Sequence, residues 1–435
     1  MEAGVEGSQF PQSSRGLIFF LIGLIIFHNG PSYAVESLFV NDLVEEALVK
    51  NPEILAAKKR WEVSQARVPQ AKSPDDPTIG MKVEKIPKGT AKLSRTMPDD
   101  RMLSIAQMFP FIGKLSLKGK IALVESQMMA AEYKNTQLKI INDVKKAYYE
   151  LFMNFKETDL VEQNLKFLES IAKIAEAKYI SKEVRQEELL KINLEIAQLS
   201  NQIKNLKQER LVNQARLNAL LNRSLDSSLG IPNVSEEVTI HQEADELYRL
   251  TLENQPELSI FSYAIERNKH AKSLAKKNIF PDVMAEVGLR GLTSGGIGPW
   301  DLMLGMTVPL WYWTKQRYEV KEAIANVEEA EAVYISIKNK VLFETNDVFS
   351  KVEIAKNKIE LYQNNLLPLL ENSLYSFLSS FRSGENNVMM ILDTQRMLIE
   401  NKMRYYQALV EYHINVAELE RAIGKNLNEV LPDEK

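Results

Sequence analysis

The chain repeats itself once, and this repeat limits what it can fold into. Asn51-Pro52-Glu53 recurs as Gln255-Pro256-Glu257 204 positions later, and Tyr179 to Glu183 recurs as Phe381 to Glu385 202 positions later. The segment from Leu217 to Asn222 recurs as Leu419 to Gly424, again 202 positions later. Three widely spaced matches at nearly one offset indicate the tandem duplication of a unit of roughly 200 residues.

The repeat divides the chain into two equivalent halves. Residues 35–222 are predicted to form repeat 1 and residues 247–427 repeat 2, each with a helix, two strands and a long helical hairpin. Residues 223–246 form the linker between them, and residues 428–435 form a C-terminal tail.

Residues 1–34 are predicted to be a secretory signal peptide. Arg15 precedes an apolar run from Gly16 to Phe27, and Ser32-Tyr33-Ala34 supplies small residues for cleavage after Ala34. The apolar run is shorter than the stretch of about 20 residues that crosses a bilayer. No later segment qualifies as a membrane helix.

Composition excludes several classes of function. The charged fraction is 26% and the net charge is −4, so no basic surface for nucleic acid is expected. The chain has no cysteine, which excludes disulfides, thiolate metal sites and a lipid-modified N-terminal cysteine.

Apolar residues with a seven-residue period predict long coiled-coil helices. Leu165, Leu168, Ala172, Ala175 and Tyr179 step by three and four residues, and Leu367 to Phe381 repeats the pattern. We expect one helix from Leu115 to Tyr179, with hairpin turns near residues 181–183 and 383–385. Proline cannot donate a helical hydrogen bond, so Pro368 predicts a kink or break near Leu366–Pro368.

Between the helices the apolar period changes to two. Ile79, Met81 and Val83 alternate with polar residues or glycine, as does the run from Val283 to Leu289. Returning strands are predicted at Leu103–Phe109 and Leu302–Val308. One apolar face on strands of this length is the weak signature of a transmembrane strand. Four strands are too few for a closed barrel, so several copies would have to pool their strands.

Aromatic residues follow the returning strands: Phe109, Phe111, Trp311, Tyr312 and Trp313. Aromatic residues at strand ends favour a membrane–water interface. The alternative is that these rings pack where strand meets helix, and the local pattern leaves both open.

No catalytic or metal-binding constellation is predicted. His241, His270 and His413 have no ligand spacing, and Met389-Met390 is better explained as coiled-coil packing than as a soft-metal site. The glycine-rich segment Gly291 to Gly298 lacks the lysine of a phosphate-binding loop. We therefore expect no enzyme activity, no cofactor and no bound metal.

The chain resembles the outer-membrane efflux protein family, the TolC-like channels. The resemblance covers nearly all of the mature chain. It rests on the two Pro-Glu starts, the strand exit Phe109-Pro110-Phe111-Ile112-Gly113-Lys114, the helix segment Tyr148-Tyr149-Glu150-Leu151 and the closing Leu419 to Gly424. The strand exit resembles that of the heavy-metal efflux branch.

The resemblance implies a mainly α fold with a small β part. Three copies would form a periplasmic α-barrel of helical hairpins, capped by a twelve-stranded transmembrane β-barrel with four strands per chain. Residues 223–246 and the tail would form an equatorial region. The protein would lie in the outer membrane with a large periplasmic extension. Its partners would be outer-membrane lipid, a periplasmic adaptor and an inner-membrane pump of the RND or ABC type.

The resemblance also implies a gate at the periplasmic end. The hairpin tips that meet the adaptor would be Ser181, Lys182, Glu183, Ser383, Gly384 and Glu385. Asp393 takes the inner of two pore-narrowing positions and Met390 the outer, and Lys191 is the first-repeat equivalent of Asp393. The mismatches of Lys182 with Gly384 and of Lys191 with Asp393 point to the gate. The alternative is that Asp393 lies on a solvated helix face.

Three functions remain open at this stage. The main hypothesis is the exit duct of a tripartite efflux system that conducts substrates passively. The alternatives are the outer-membrane component of type I protein secretion and, in a different class, a soluble periplasmic coiled-coil adaptor or scaffold. The sequence does not identify the cargo.

Overall fold

The structure is a computed structural model that describes residues 37–86, 88, 101–235, 243–291, 298–382 and 388–427. The described residues belong to one compact unit. The predicted signal peptide, the predicted C-terminal tail and the second hairpin turn, Ser383 to Glu385, lie outside the described residues.

The first half of the described chain ends in a very long helical hairpin. The elements of this half are β1 (Ser37–Leu38), α1 (Val40–Lys50), α2 (Pro52–Lys72), β2 (Thr78–Val83), β3 (Arg101–Phe109), α3 (Lys114–Ile180) and α4 (Gln186–Leu220). The predicted helix from Leu115 to Tyr179 is confirmed to within one residue at each end. Its 67 residues extend over about 100 Å at 1.5 Å per residue.

The second half has the same order of elements after the linker strand β4 (Ile231–Pro232). These are α5 (Ala244–Asn254), α6 (Pro256–Lys277), β5 (Val283–Arg290), β6 (Trp300–Met306), α7 (Gln316–Leu361), a π-helical turn (Tyr362–Leu366), α8 (Leu367–Arg382) and α9 (Val388–Ile423). α7, the π-helical turn and α8 are continuous and together correspond to α3.

A π-helical turn, Tyr362–Leu366, lies just before Pro368, where a kink or break was predicted, and the helix continues through it. The Leu367 N–H donates to the Tyr362 carbonyl, five residues back rather than four. Pro368 has no N–H to donate, and its ring would clash with the preceding turn of a regular α-helix. The wider π turn accommodates this defect without ending the helix.

Both short helices begin at an amide side chain. The Asn51 Oδ1 accepts hydrogen bonds from the N–H groups of Glu53 (2.8 Å) and Ile54 (3.4 Å). The Gln255 Oε1 accepts from the Glu257 N–H at 3.5 Å. Proline follows each amide at the first helical position, where its missing N–H leaves no bond unmade.

Most of the seven-residue apolar stripe forms the buried seam between the helices, but Tyr179 at its end is 42% exposed. α3 packs against both α4 and α9. Near the hairpin end the core contains Leu168, Ile171, Ala175, Ile192, Phe381, Val388, Ile391 and Leu392. Across the described ranges, no helix combines the length and the apolar composition needed to cross a membrane.

The linker is attached to the helices by long-range polar contacts. The Tyr148 hydroxyl lies 2.8 Å from the Leu38 carbonyl and 2.6 Å from that of Asn233, beside the parallel pair of β1 and β4. Arg223 forms a two-pronged ion pair with Glu46 of α1. These contacts attach residues 223–235 to α1 and α3, whereas residues 236–242 lie outside the described ranges.

The four longer strands form one antiparallel sheet in the order β2-β3-β5-β6. Each half contributes a hairpin, and the pairing of β3 with β5 joins the halves. The predicted last strand, Leu302–Val308, was displaced by two residues, because β6 begins at Trp300 and ends at Met306. Pro309 has no N–H for a further ladder bond, and the Leu310 N–H turns back to the Val308 carbonyl.

Candidate functional site

One face of the sheet is apolar and exposed. The strand register places Ile79, Ile105, Val287 and Leu302 side by side across all four strands. Each of these side chains is more than two-fifths exposed, and Leu304 is 70% exposed. Exposed apolar surface that continues over several strands marks an interface with a partner or with a membrane.

The opposite face of the sheet carries most of its charged residues. The Arg290 guanidinium pairs with Asp301 and, at 3.2 Å, with Glu84. Glu84 also accepts from the Lys82 ammonium at 2.6 Å. Two cations and two anions therefore form one ion-pair network near the loop end of the sheet, as suits a face in contact with water.

The predicted interface aromatics lie at the helix end of the sheet but differ in their surroundings. Trp311 and Trp313 are 71% and 69% exposed, and Phe109 is also exposed. Tyr312 lies edge-on to Trp313, with ring centroids 5.1 Å apart. Phe111 instead stacks on Phe280 at 4.5 Å, where strand meets helix.

Trp300 is an exposed aromatic that the sequence interpretation missed. It starts β6 at the loop end and is 66% exposed, on the same face as Leu302 and Leu304. The alternation 300, 302, 304, 306 was the available signal. Aromatic residues therefore lie at both ends of the apolar face, about 20–30 Å apart at the rise of a β-strand.

A partly buried ion pair holds the junction between sheet and helices, and it was also missed. The Lys114 ammonium donates to the Asp282 carboxylate at 2.8 Å and to the Phe280 carbonyl at 3.1 Å. The Phe111 N–H donates to the same carboxylate at 2.6 Å. Burial raises the pKa of Asp282, but the hydrogen bonds from Lys114 and Phe111 outweigh it and hold that pKa below its usual value.

The first hairpin tip is in contact with the second hairpin. Ser181, Lys182 and Glu183 form the turn between α3 and α4, with the Ser181 hydroxyl 3.0 Å from the Glu183 carboxylate. The Lys178 ammonium lies 3.2 Å from the Phe381 carbonyl and 4.4 Å from the centre of its ring. The tip residues Ser383, Gly384 and Glu385 lie outside the described ranges.

The predicted gate residues lie close to this end of the helices. Asp393 is exposed on α9 and pairs with Arg396 at 2.7 Å, and Met390 is 46% exposed. Lys191 is exposed on α4. Among the ion pairs of the described residues, Asp393 pairs with Arg396 and not with Lys191.

The described histidines have structural surroundings. His413 stacks on Tyr149 at 4.9 Å, and its Nε2 lies 3.0 Å from the Ser235 carbonyl. His270 lies 3.6 Å from Glu266, and His241 is outside the described ranges. Within those ranges no three His, Asp or Glu side chains are grouped as metal ligands would be.

Comparison with known families identifies one family over most of the chain. The family model described as "Outer membrane efflux protein" matches residues 43–223 and 247–425. The match is in two segments with residues 224–246 between them. A similar curated protein is the cobalt-zinc-cadmium resistance protein CzcC of Cupriavidus metallidurans, 21% identical over 186 residues. That alignment spans 42% of this chain and 43% of CzcC.

Solved structures share the fold over nearly the whole chain. The outer membrane protein VceC of Vibrio cholerae has a TM-score of 0.74 at 17% identity, over 89% of this chain and 96% of its own. CusC has a TM-score of 0.76 at 15% identity, covering 89% and 92%. The open state of the MtrE channel of Neisseria gonorrhoeae has a TM-score of 0.73 at 16% identity, covering 89% of each chain.

Proposed function

The chain belongs to the outer membrane efflux protein family, and on that premise we propose that three copies form the exit duct of a tripartite efflux system. The duct conducts substrates passively from an inner-membrane pump and a periplasmic adaptor to the exterior. The sheets pool into a twelve-stranded barrel in the outer membrane, and the hairpins continue as an α-barrel in the periplasm.

The two-faced sheet is the observation that carries this proposal. β2 and β6 are its edges, and an edge strand in lipid would leave backbone N–H and C=O groups without partners. The four strands alternate in direction, so β6 of one copy meets β2 of the next as an antiparallel neighbour. Three copies then close the ring with the apolar face toward lipid and the Arg290 network toward the lumen.

The helices supply the wall of the duct. α3 extends over about 100 Å, which is far longer than a globular core requires. Exposed apolar residues on α4 and on α7 provide contact surfaces for neighbouring copies, among them Leu194, Leu211, Ile335, Phe343 and Ile354. Transport needs no chemistry from such a wall, because the pump supplies the energy.

Metal cations are the proposed substrate class. The support is the similarity to CzcC, which is named for resistance to cobalt, zinc and cadmium, together with the exposed Asp393 carboxylate at the gate end. Three Asp393 carboxylates around one axis would favour cations. A strain that lacks this chain should become sensitive to divalent metals, and complementation should restore growth. Sensitivity to detergents or antibiotics without metal sensitivity would contradict this substrate class.

Single-channel recording tests the duct itself. The purified protein should be found in the outer membrane, run as a trimer in detergent and give conductance steps in a planar bilayer. A soluble periplasmic monomer would contradict the channel and favour a coiled-coil scaffold.

A matched pair of variants tests which face meets lipid. Leu304→Arg puts a charge on the apolar face, which costs about 2–4 kcal/mol near the middle of a bilayer. Met303→Arg makes a similar change one residue earlier, on the opposite face. We expect Leu304→Arg to abolish membrane insertion and Met303→Arg to preserve it. Equal loss in both variants would contradict the proposed orientation.

A further inference from the structure

The contact between the two halves of one chain is a template for the contact between copies. β3 of the first half pairs with β5 of the second half. In the proposed trimer β6, which ends the second half's hairpin, would meet β2, which starts the first half's hairpin in the next copy. The β6–β2 contact is therefore the repeat-equivalent of the β3–β5 contact.

The prolines after the returning strands align β3 of the first repeat with β6 of the second. Pro110 and Pro309 each follow the last strand of a hairpin and lie 199 positions apart. The residue 199 positions after Ile105 is Leu304. β3 and β6 therefore correspond at this offset.

The hairpin registers then align the other two strands. Ile79 pairs with Ile105 in the first hairpin, and Ala285 pairs with Leu304 in the second. Ile79 therefore corresponds to Ala285. The offset between Ile79 and Ala285, applied three residues before Ile79, makes Asp76 the equivalent of Asp282.

This alignment predicts a register between copies that uses the whole of β2. In one chain Gln107 pairs with Ala285, so Met306 of one copy would pair with Ile79 of the next. The same rule pairs Leu304 with Met81 and Leu302 with Val83. All of these residues lie on the apolar face, so the face would continue unbroken around the ring.

The charges at the helix end of the two free edges are complementary. Lys114, four residues after Pro110, pairs with Asp282 inside the chain. Lys315, six residues after Pro309, is the first cation there and lies two residues beyond Trp313, the position equivalent to Lys114; Asp76 precedes β2. Lys315 and Asp76 are both exposed, and neither forms an ion pair among the described residues.

We propose that Lys315 of one copy pairs with Asp76 of the next, in the role that Lys114 has toward Asp282 inside the chain, with Met306 opposite Ile79. This proposal rests on the proposed trimer. It makes each of the three contacts between copies resemble the contact inside each chain, so that six similar junctions connect barrel and helices.

Cysteine cross-linking tests the register, because the chain has no cysteine of its own. Residues directly opposite on antiparallel strands have Cβ atoms about 5 Å apart. Oxidation of the full chain carrying Met306→Cys and Ile79→Cys, in outer membranes, should give covalent dimers and trimers. The control pairs Met306→Cys with Lys82→Cys, whose side chain lies on the other face, and should stay uncross-linked. Equal cross-linking in both variants, or none in either, would overturn the register.

Charge reversal tests the ion pair. Lys315→Glu should reduce the fraction of trimer that survives in SDS, and Asp76→Lys in the same chain should restore it. Asp75→Lys changes the charge equally one residue earlier and should restore it much less. Equal rescue by the two, or rescue by neither, would overturn the pairing with Asp76.

The native mass in mild detergent separates this proposal from the proposed function. A trimer without the Met306–Ile79 cross-link contradicts only the contact described here. A wild-type monomer contradicts the trimeric duct and this contact together.

Discussion

The side-chain amide of Asn51 donates a hydrogen bond of 2.8 Å to the backbone carbonyl of Leu220, and so ties the start of α2 to the end of α4. The second half repeats this contact, because the Gln255 amide donates to the Ala422 carbonyl at 3.0 Å. Each amide also caps its helix through its oxygen. One side-chain amide thus bonds both to the backbone N–H at the start of its own helix and to a backbone carbonyl at the end of another helix. This explains why both Pro-Glu starts follow an amide residue.

Replacing either amide should destabilise the fold. Asn51→Ala removes a helix cap and leaves a partly buried carbonyl without its donor, a combined cost of about 1–3 kcal/mol. Thermal unfolding followed by the helical circular dichroism signal measures it. Gln70→Ala on the same helix is the control, because the Gln70 amide is exposed and bonds only within α2. Equal melting of Asn51→Ala and wild type would contradict the dual role.

Acid should weaken the attachment of the linker through Glu46. The hydrogen bond from Arg223 lowers the pKa of Glu46 from 4.5 to about 2. Because the folded pKa lies below the unfolded one, the pair stabilises the fold above pH 4.5, and this stabilisation is lost as the pH falls from 4.5 toward 2. Urea unfolding at a series of pH values should show this loss in wild type.

Glu46→Gln is the matched control for this pH dependence. It keeps the shape of the side chain and removes its titration. The stability difference between wild type and Glu46→Gln should shrink as the pH falls through that window. A difference that is constant from pH 6 to pH 3 would show that Glu46 has no lowered pKa.

The helices could be predicted from local periodicity, but the ion pairs that join the sheet and the linker to the helices could not. The stripe through Leu168 and Ala175 was readable because coiled-coil neighbours recur every three or four residues. The Lys114–Asp282 pair joins residues 168 positions apart, and the Glu46–Arg223 pair joins residues 177 apart. Such pairs depend on strand register and on how the linker folds back, which a local pattern does not contain.

The sequence mismatch at the hairpin tip has a conformational consequence. Lys182 has a φ of 63°, in the left-handed region that glycine adopts without strain, and Gly384 is its equivalent in the second repeat. The sequence alone assigns the mismatch of Lys182 with Gly384 to the gate. The left-handed backbone conformation costs about 1 kcal/mol at Lys182, and a glycine at this position would not have that cost.

Lys182→Gly should therefore stabilise the first hairpin tip by up to about 1 kcal/mol. Amide hydrogen exchange of the turn after α3 should slow in this variant. Ser181→Gly is the control, because Ser181 has a φ of −81° and its hydroxyl bonds to Glu183. Faster exchange in Lys182→Gly than in wild type would show that the lysine side chain stabilises the tip.

Charge changes near the aperture should alter ion selectivity if Asp393 faces the pore. Asp393→Asn should lower the cation preference, measured as the reversal potential in a salt gradient across a planar bilayer. Arg396→Gln should raise it, because Arg396 pairs with Asp393 at 2.7 Å and offsets its charge. Glu400→Gln is the control: Glu400 is exposed seven residues further along α9, about 10 Å from the proposed constriction. If Glu400→Gln shifts the reversal potential as much as Asp393→Asn does, the selectivity comes from the charge of the whole channel wall and not from Asp393. If neither Asp393→Asn nor Arg396→Gln shifts the reversal potential, Asp393 lies on a solvated helix face.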